Sequence, residues 1–175
     1  AESLEFAQAI KLVRLRGETM QAAVAEGIGA MGAVVGLDND VVEQICTDIS
    51  KQHQASKELV VPANLNAIGQ VVIAGHKNAV ILALEAAKAA GAKLAKLIPV
   101  SVPSHSPLMQ SAADRFVMFL ENVTVKPPII PVIHNANLQC LDNPADIKTS
   151  LVQQLISPVR WVETLQTMQA QGVTH

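Results

Sequence analysis

Between Gly29 and Val102 the sequence runs strand, helix, strand, strand, helix, strand, an order that restricts the possible folds more than any other feature of the chain. Gly29-Ala30-Met31-Gly32-Ala33-Val34-Val35-Gly36 is strand-like, and Asp38-Asn39-Asp40 supplies capping side chains for a helix running to about Gln52. Leu59 to Asn64 and Gln70 to Ala74 read as two strands. The Asn64-Leu65-Asn66-Ala67-Ile68-Gly69 stretch reads as the turn between them, because Asn and Gly tolerate positive φ. Lys77 to Ala90 is an Ala-rich helix closed by Gly91, and Lys93 to Val102 is a fourth strand.

This βαββαβ order is that of the ferredoxin-like unit, in which the first and fourth strands lie side by side and antiparallel. Neighbouring ends let such a unit be set into a host domain. The expected class is therefore α/β, with a core helix of a larger subdomain over residues 1–28, a small α+β subdomain over 29–102, and a return to the larger subdomain over 103–175. From Leu4 to about Ala25, Phe6, Ile10, Val13, Met20 and Val24 recur at helical spacing with Gly17 on the same face, which predicts a long amphipathic helix. Beyond the insert the sequence predicts a helix from Pro107 to about Glu121, a short strand from Ile129 to His134, and helices starting at Asn143-Pro144 and Ser157-Pro158. Entry and exit at one edge bring Arg16 and His105 to the same cleft.

Composition removes several classes of function. Half of the residues are hydrophobic, so a chain of 175 residues can bury a sizeable core. A net charge of −2 without any Lys/Arg block gives no electrostatic footprint for nucleic acid, and three Phe and one Trp make no base-stacking platform. The apolar stretch from Ala79 to Leu84 ends at Glu85, far short of the roughly 18 residues that a membrane span needs. Cys46 and Cys140 are isolated, which fits a reducing, cytoplasmic setting rather than a zinc site or disulfide framework. His53, His76, His134 and His175 show no metal-ligand spacing, so no metal is expected. Gly75-His76-Lys77 lacks the glycines of a phosphate loop, and no serine lies in Gly-x-Ser-x-Gly. The chain opens on a helix start at Ala1-Glu2-Ser3-Leu4 and stops at Gly172-Val173-Thr174-His175, where a helix end turns toward a strand; it reads as part of a longer polypeptide.

Two residues carry candidate chemistry. His105 ends the apolar run Leu97-Ile98-Pro99-Val100-Ser101-Val102-Pro103-Ser104, and Ser106 and Pro107 read as N-cap and first position of the next helix. The dipoles at such a helix start disfavour the imidazolium and keep the ring basic near neutral pH. His105 is thus either a catalytic base or a histidine that satisfies a buried junction. Arg14 can pair with Glu18 on the solvent face, whereas Arg16 has Leu12, Val13, Thr19 and Met20 at helical reach and no local carboxylate. Arg16 either meets a distant acid in the core or offers its planar guanidinium to a ligand carboxylate. Gly17 beside it implies that something approaches the helix closely.

Five segments in matching order and spacing resemble the bacterial malonyl-CoA–acyl carrier protein transacylase family: Arg14-Leu15-Arg16-Gly17-Glu18-Thr19-Met20-Gln21, Gly29-Ala30-Met31, Asn64 to Gly75, Val100-Ser101-Val102-Pro103-Ser104-His105, and Gln153-Gln154-Leu155-Ile156-Ser157-Pro158-Val159-Arg160-Trp161. The resemblance covers essentially the whole chain. It implies an α/β-hydrolase-like core carrying a ferredoxin-like subdomain, and malonyl transfer from malonyl-CoA to the phosphopantetheine thiol of acyl carrier protein in fatty acid biosynthesis. By the same resemblance His105 is the general base, the Gln154 main-chain carbonyl orients it, and Arg16 clamps the malonyl carboxylate. Met20, Asn64, Asn66 and Ser104 belong to the substrate-binding positions. No cofactor is implied, since coenzyme A arrives as the substrate thioester and the carrier brings its own phosphopantetheine; the intact enzyme is implied to be a monomer.

The family's Gly-His-Ser-Leu-Gly nucleophile elbow, its Gly-Gln-Gly loop and a later Gly-Pro-Gly segment have no counterpart in these residues, so the 175 residues alone are expected to be inactive. Two other readings stand beside this one. An acyltransferase of a polyketide synthase or malonate-decarboxylase complex would use the same groups, and a regulatory ligand-binding module could use the same βαββαβ topology.

Overall fold

A computed structural model describes residues 1–174. Its order is α1 (Phe6–Ala22), β1 (Gly29–Val35), α2 (Asn39–Gln52), β2 (Val60–Ala67), β3 (Gln70–His76), α3 (Lys77–Ala89), β4 (Leu94–Ile98), α4 (Gln110–Glu121), α5 (Pro144–Ile156) and α6 (Trp161–Ala170), with single 3-10 turns at Gln54–Ser56 and Pro107–Met109. The four strands form one antiparallel sheet in the order β2-β3-β1-β4. First and last strands are therefore neighbours, Met31 opposite Ile98 and Val35 opposite Leu94.

The alternation of side chains divides the sheet into two faces. Ala30, Val34, Val60, Val71 and Ile73 point to the side covered by α2 and α3, where they pack with Val42, Cys46, Val80 and Leu84. Burial pushes the Cys46 thiol pKa up to about 12, so it is a small apolar core residue rather than a nucleophile. Met31, Ala63 and Ala74 point to the other side. A second core lies away from the sheet: Leu12 and Met20 of α1, Met109, Ala112, Ala113, Phe116 and Leu120, and Leu155 of α5. Residues 29–102 separate these helices in sequence, yet α1 packs on α4 and α4 on α5.

Several elements differ from expectation for local reasons. β2 continues through Asn64 and Asn66 to Ala67 with irregularities at Pro62/Asn64 and Leu65/Ala67, so the hairpin turn is reduced to Ile68 and Gly69, the latter at φ +74. β4 stops at Ile98 because Pro99 has no N–H to give the ladder. Residues 129–134 form no strand. Pro131 interrupts the stretch, and only Ile133 bridges, to Cys140. Asn143 caps α5 as predicted, accepting from Ala145 N–H at 2.8 Å. Ser157-Pro158 does not start a helix, since Val159 is held extended against β2 and α6 begins at Trp161. After Gly172 no strand forms among the described residues, and His175 lies outside them.

The apolar stripe of α1 also differs. Leu12, Thr19 and Met20 are buried, but Phe6, Ile10 and Val13 are exposed in this chain. A Cβ added at Gly17 meets nothing within 4 Å, so no close approach occurs there among the described residues. Gly75 is the opposite case: an added Cβ would strike the Leu59 carbonyl and lie 2.7 Å from Val60 Cα. In urea denaturation of the chain, Gly17→Ala is expected to raise stability by about 0.5–1 kcal/mol through helix propensity. Gly75→Ala is expected to lower it by about 1–3 kcal/mol, because the obstructing atoms are backbone and cannot swing away.

Candidate active site

His105 stands on the connection that leaves β4. Ser106 is fully buried behind it, and its hydroxyl donates to the Pro103 carbonyl at 2.6 Å instead of accepting from a helix N–H. His105 itself has φ +59, in the left-handed region. This backbone turns the ring toward the end of α5, where its Nδ1 lies 2.8 Å from the Gln154 carbonyl oxygen. A carbonyl can only accept, so Nδ1 carries the proton and Nε2 keeps its lone pair. One tautomer is thereby selected, with the basic nitrogen directed away from α5.

The Gln154 carbonyl is available because of Pro158. In a continuing α-helix the N–H of the residue four positions on would take that carbonyl, and proline has none. His105 supplies the missing donor.

The electrostatics of the ring follow from its neighbours. Burial, the largest effect, pushes its pKa below the ordinary 6.5; the Gln154 carbonyl and the Ser157 main chain pull it back, and the positive charge of Arg16 lowers it further. The expected dipole effect of a following helix is not the cause. Only a 3-10 turn follows directly, and the helix end that His105 touches is the C-terminus of α5, whose dipole favours the cation.

Arg16 of α1 faces the same space. A cavity of about 400 Å³ is lined by Leu4, Ala9, Leu12, Val13, Phe116, Leu151 and Val159 together with Arg16, His105 and Gln154. No acid lines it, and the buried Nε of Arg16 has no hydrogen-bond partner among the described residues. Burial accordingly lowers the Arg16 pKa. Arg14, on the solvent side of the same helix, pairs with Glu18 at 2.7 Å as its spacing predicts. The distant core acid that Arg16 could have met is thus absent from the described residues.

A second cavity of about 420 Å³ reaches His105 from the other side, bounded by Glu43, Pro62, Leu65, Pro158, Arg160 and Glu163 among others. Arg160 and Glu163 form a two-pronged ion pair at 2.6 and 2.5 Å, which holds the Glu163 carboxyl below its usual range.

The structure brings Arg16, His105 and Gln154 together, whereas Met20, Asn64, Asn66 and Ser104 line neither cavity. Ser104 is half-buried beside His105. Met20 is buried in the helical core and does not line the cavity. Asn64 and Asn66 are half-buried on β2, with Asn64 bridged to Val159, which does line it. His76 accepts from the Leu59 N–H at 3.0 Å, a structural use. Two contributors carry no local sequence signal. Val159 gives its N–H to Ala63 O at 2.8 Å and takes the Leu65 N–H at 2.9 Å, and Asn135 Oδ1 accepts from Gln154 Nε2 at 3.4 Å. Among the described residues no group of His, Cys, Asp or Glu could hold a metal ion, and no helix is long and apolar enough to cross a membrane.

The family model of the acyl transferase domain matches residues 1–174. The malonyl CoA-acyl carrier protein transacylase of Escherichia coli K12 is 46% identical over 172 residues, covering 98% of this chain and 54% of that protein. An acyl carrier protein S-malonyltransferase from Vibrio cholerae superposes with a TM-score of 0.94 at 47% identity, covering 99% of this chain and 55% of the other. A type II PKS acyl-carrier protein in complex with its malonyl-transacylase contains a chain that matches with a TM-score of 0.93 at 45% identity, over 99% of this chain and 54% of that one. The chain spans about half the length of the curated relatives it matches. With a family model matched along nearly its entire length and an oriented histidine facing an unpaired arginine, the chain belongs to the acyl transferase domain family.

Proposed function

We propose that this chain carries the base and the carboxylate clamp of an acyltransferase that moves malonyl from malonyl-CoA to the phosphopantetheine thiol of an acyl carrier protein. The observation that carries the reading is the half-buried Arg16, its Nε buried without a partner, sharing one apolar cavity with a histidine whose tautomer is fixed. A malonyl thioester has two parts to recognise. Its free carboxylate fits the guanidinium, and its thioester carbonyl fits a nucleophile activated by His105 Nε2.

In this reading the nucleophile is a serine contributed by polypeptide beyond these residues. His105 Nε2 removes the hydroxyl proton as oxygen attacks the thioester carbon, and the proton passes to the departing coenzyme A thiolate. The acyl-serine ester is then attacked by the carrier thiol, whose proton His105 takes and returns to the serine oxygen. Gln154 favours the transient imidazolium by accepting from Nδ1 at the negative end of α5. No metal or cofactor is needed to balance either step. Met20, Asn64, Asn66 and Ser104 are proposed to bound the substrate path, Met20 by backing α1 beneath the clamp.

The finer architecture belongs to the same proposal. Residues 29–102 are read as a ferredoxin-like subdomain set into an α/β-hydrolase-like core made from 1–28 and 103–175. The adjacency of β1 and β4 supports it, as does the shared core of α1, α4 and α5 across that insert. The complex of a polyketide carrier with its malonyl-transacylase, 45% identical to this chain, supports a carrier protein as partner and leaves fatty-acid or polyketide synthesis as the setting. The reading places the enzyme in the cytoplasm, as a monomer.

In a polypeptide of the relatives' full length, incubation with malonyl-CoA is expected to add one malonyl group, read by intact-mass spectrometry; a folded enzyme that acquires no adduct would sink the proposal. Arg16→Ala is expected to lower kcat/KM for malonyl-CoA about a hundredfold while changing acetyl transfer far less, a difference corresponding to about 3 kcal/mol for a charged, two-pronged interaction. Equal losses would remove Arg16 from the clamp. Because His105 must be neutral to act and burial lowers its pKa from the ordinary 6.5, the acid limb of kcat/KM is expected to have its midpoint below that value. A decline centred above pH 7 would contradict the buried base.

A further inference from the structure

Asn135 touches both sides of the break between α5 and α6. Its side-chain oxygen accepts from Gln154 Nε2 at 3.4 Å, and its main-chain oxygen accepts from the Arg160 N–H at 3.2 Å. Gln154 lies in the last turn of α5, and Arg160 directly precedes α6. Asn135 is itself held by a closed reversal, with His134 N–H on Gln139 O at 3.0 Å, Leu138 N–H on His134 O at 2.8 Å, and Ile133 bridged to Cys140.

We propose that Asn135 is a positioning residue for His105, acting through Gln154. The proposal rests on the reading of His105 as the general base. The last turn of a helix frays because its carbonyls lack internal donors, and Pro158 removes the donor that Gln154 would have had. Hydrogen-bonding the Gln154 amide to a rigid reversal limits rotation of that turn. The Gln154 carbonyl then stays on Nδ1, and Nε2 stays the unprotonated nitrogen. Half-burial of Asn135 and Gln154 partly shields the contact from competing water. The charged groups that line the cavities against His105 are Arg16 from α1, Glu43 from α2, and Arg160 and Glu163 at α6. Replacing Asn135 by a neutral residue changes none of them.

The test compares Asn135→Ala, Asn135→Asp and Gln154→Met, singly and with Asn135→Ala combined with Gln154→Met, in the full-length enzyme. Imidazole nitrogen NMR reads the tautomer of His105, and steady-state kinetics reads transfer. Asn135→Ala is expected to convert the single Nδ1-protonated ring into a mixture and to lower kcat about three- to tenfold, with KM for malonyl-CoA within about twofold. Asn135→Asp keeps an acceptor for the Gln154 amide and is expected to retain the single tautomer. Gln154→Met keeps the carbonyl and loses only the amide, so it should reproduce the Asn135→Ala defect. The double variant should then be no worse than either alone. A single Nδ1-protonated tautomer in both Asn135→Ala and Gln154→Met, whatever their thermal stability, would overturn the proposal; so would additive losses in the double variant. Because the tautomer is read without substrate, it tests the role of Asn135 even in an enzyme that transfers no malonyl.

Discussion

Two main-chain hydrogen bonds, from Val159 N–H to Ala63 O and from Leu65 N–H to Val159 O, tie the segment between α5 and α6 to the edge of the sheet. The sheet with α2 and α3 buries one core, and α1, α4 and α5 bury another. The strand β2 has a free edge, and an edge seeks partners for its unpaired N–H and C=O groups. Val159 supplies them over one residue. That short pairing sets how far α5 ends from the sheet, and therefore where the Gln154 carbonyl meets His105, which arrives from β4 on the far side of the same sheet. The helical side of the site is also joined directly, since Met109, four residues after His105, shares the core of α1 and α5.

Within the site the dominant electrostatic condition is the scarcity of negative charge around Arg16. Arg16 is half-buried, and its buried Nε without a partner is unfavourable. The unsatisfied Nε and the acid-free cavity wall leave room for an anion, and the same positive charge works against protonation of His105. In the proposed reading one residue offers the cavity's contact for a carboxylate and, after burial, helps to keep the nearby imidazole neutral. The α5 terminus acts in the opposite sense, so His105 is held between an environment that resists its cation and a carbonyl that stabilises it. Such a balance suits the role proposed for His105, a base that accepts a proton and returns it within one turnover.

The periodic part of the fold is legible in the sequence. Strand alternation, the Ala-rich helix and the punctuation by Gly91 and Asn143 are local properties, and β1, α2, β3, α3 and α5 fall close to the ranges those properties predict. The parts that are not legible depend on distant partners. β2 extends through Asn64 and Asn66 because Gln70 to Val72 and Val159 pair with it, and α6 starts late because Val159 is already committed to β2. The stripe of Phe6, Ile10 and Val13 has helical spacing, but α1 packs on α4 through a different side, which no periodicity can announce. His105 and Arg16 stand out because each is chemically unusual for its surroundings. Gln154 enters through family resemblance, although Pro158 four residues later is a local sign of an orphaned carbonyl. Asn135 gives no sign at all, since its importance lies in a contact across 19 residues.

Under the base role proposed for His105, its left-handed backbone sets stability against chemistry at a single peptide. Glycine occupies that region most easily, and histidine, like asparagine and aspartate, is found there more often than other side chains. Random drift toward a more comfortable conformation would therefore favour residues that cannot act as a base. Under the proposed role, a change to glycine at this one position would ease the backbone and remove the base together.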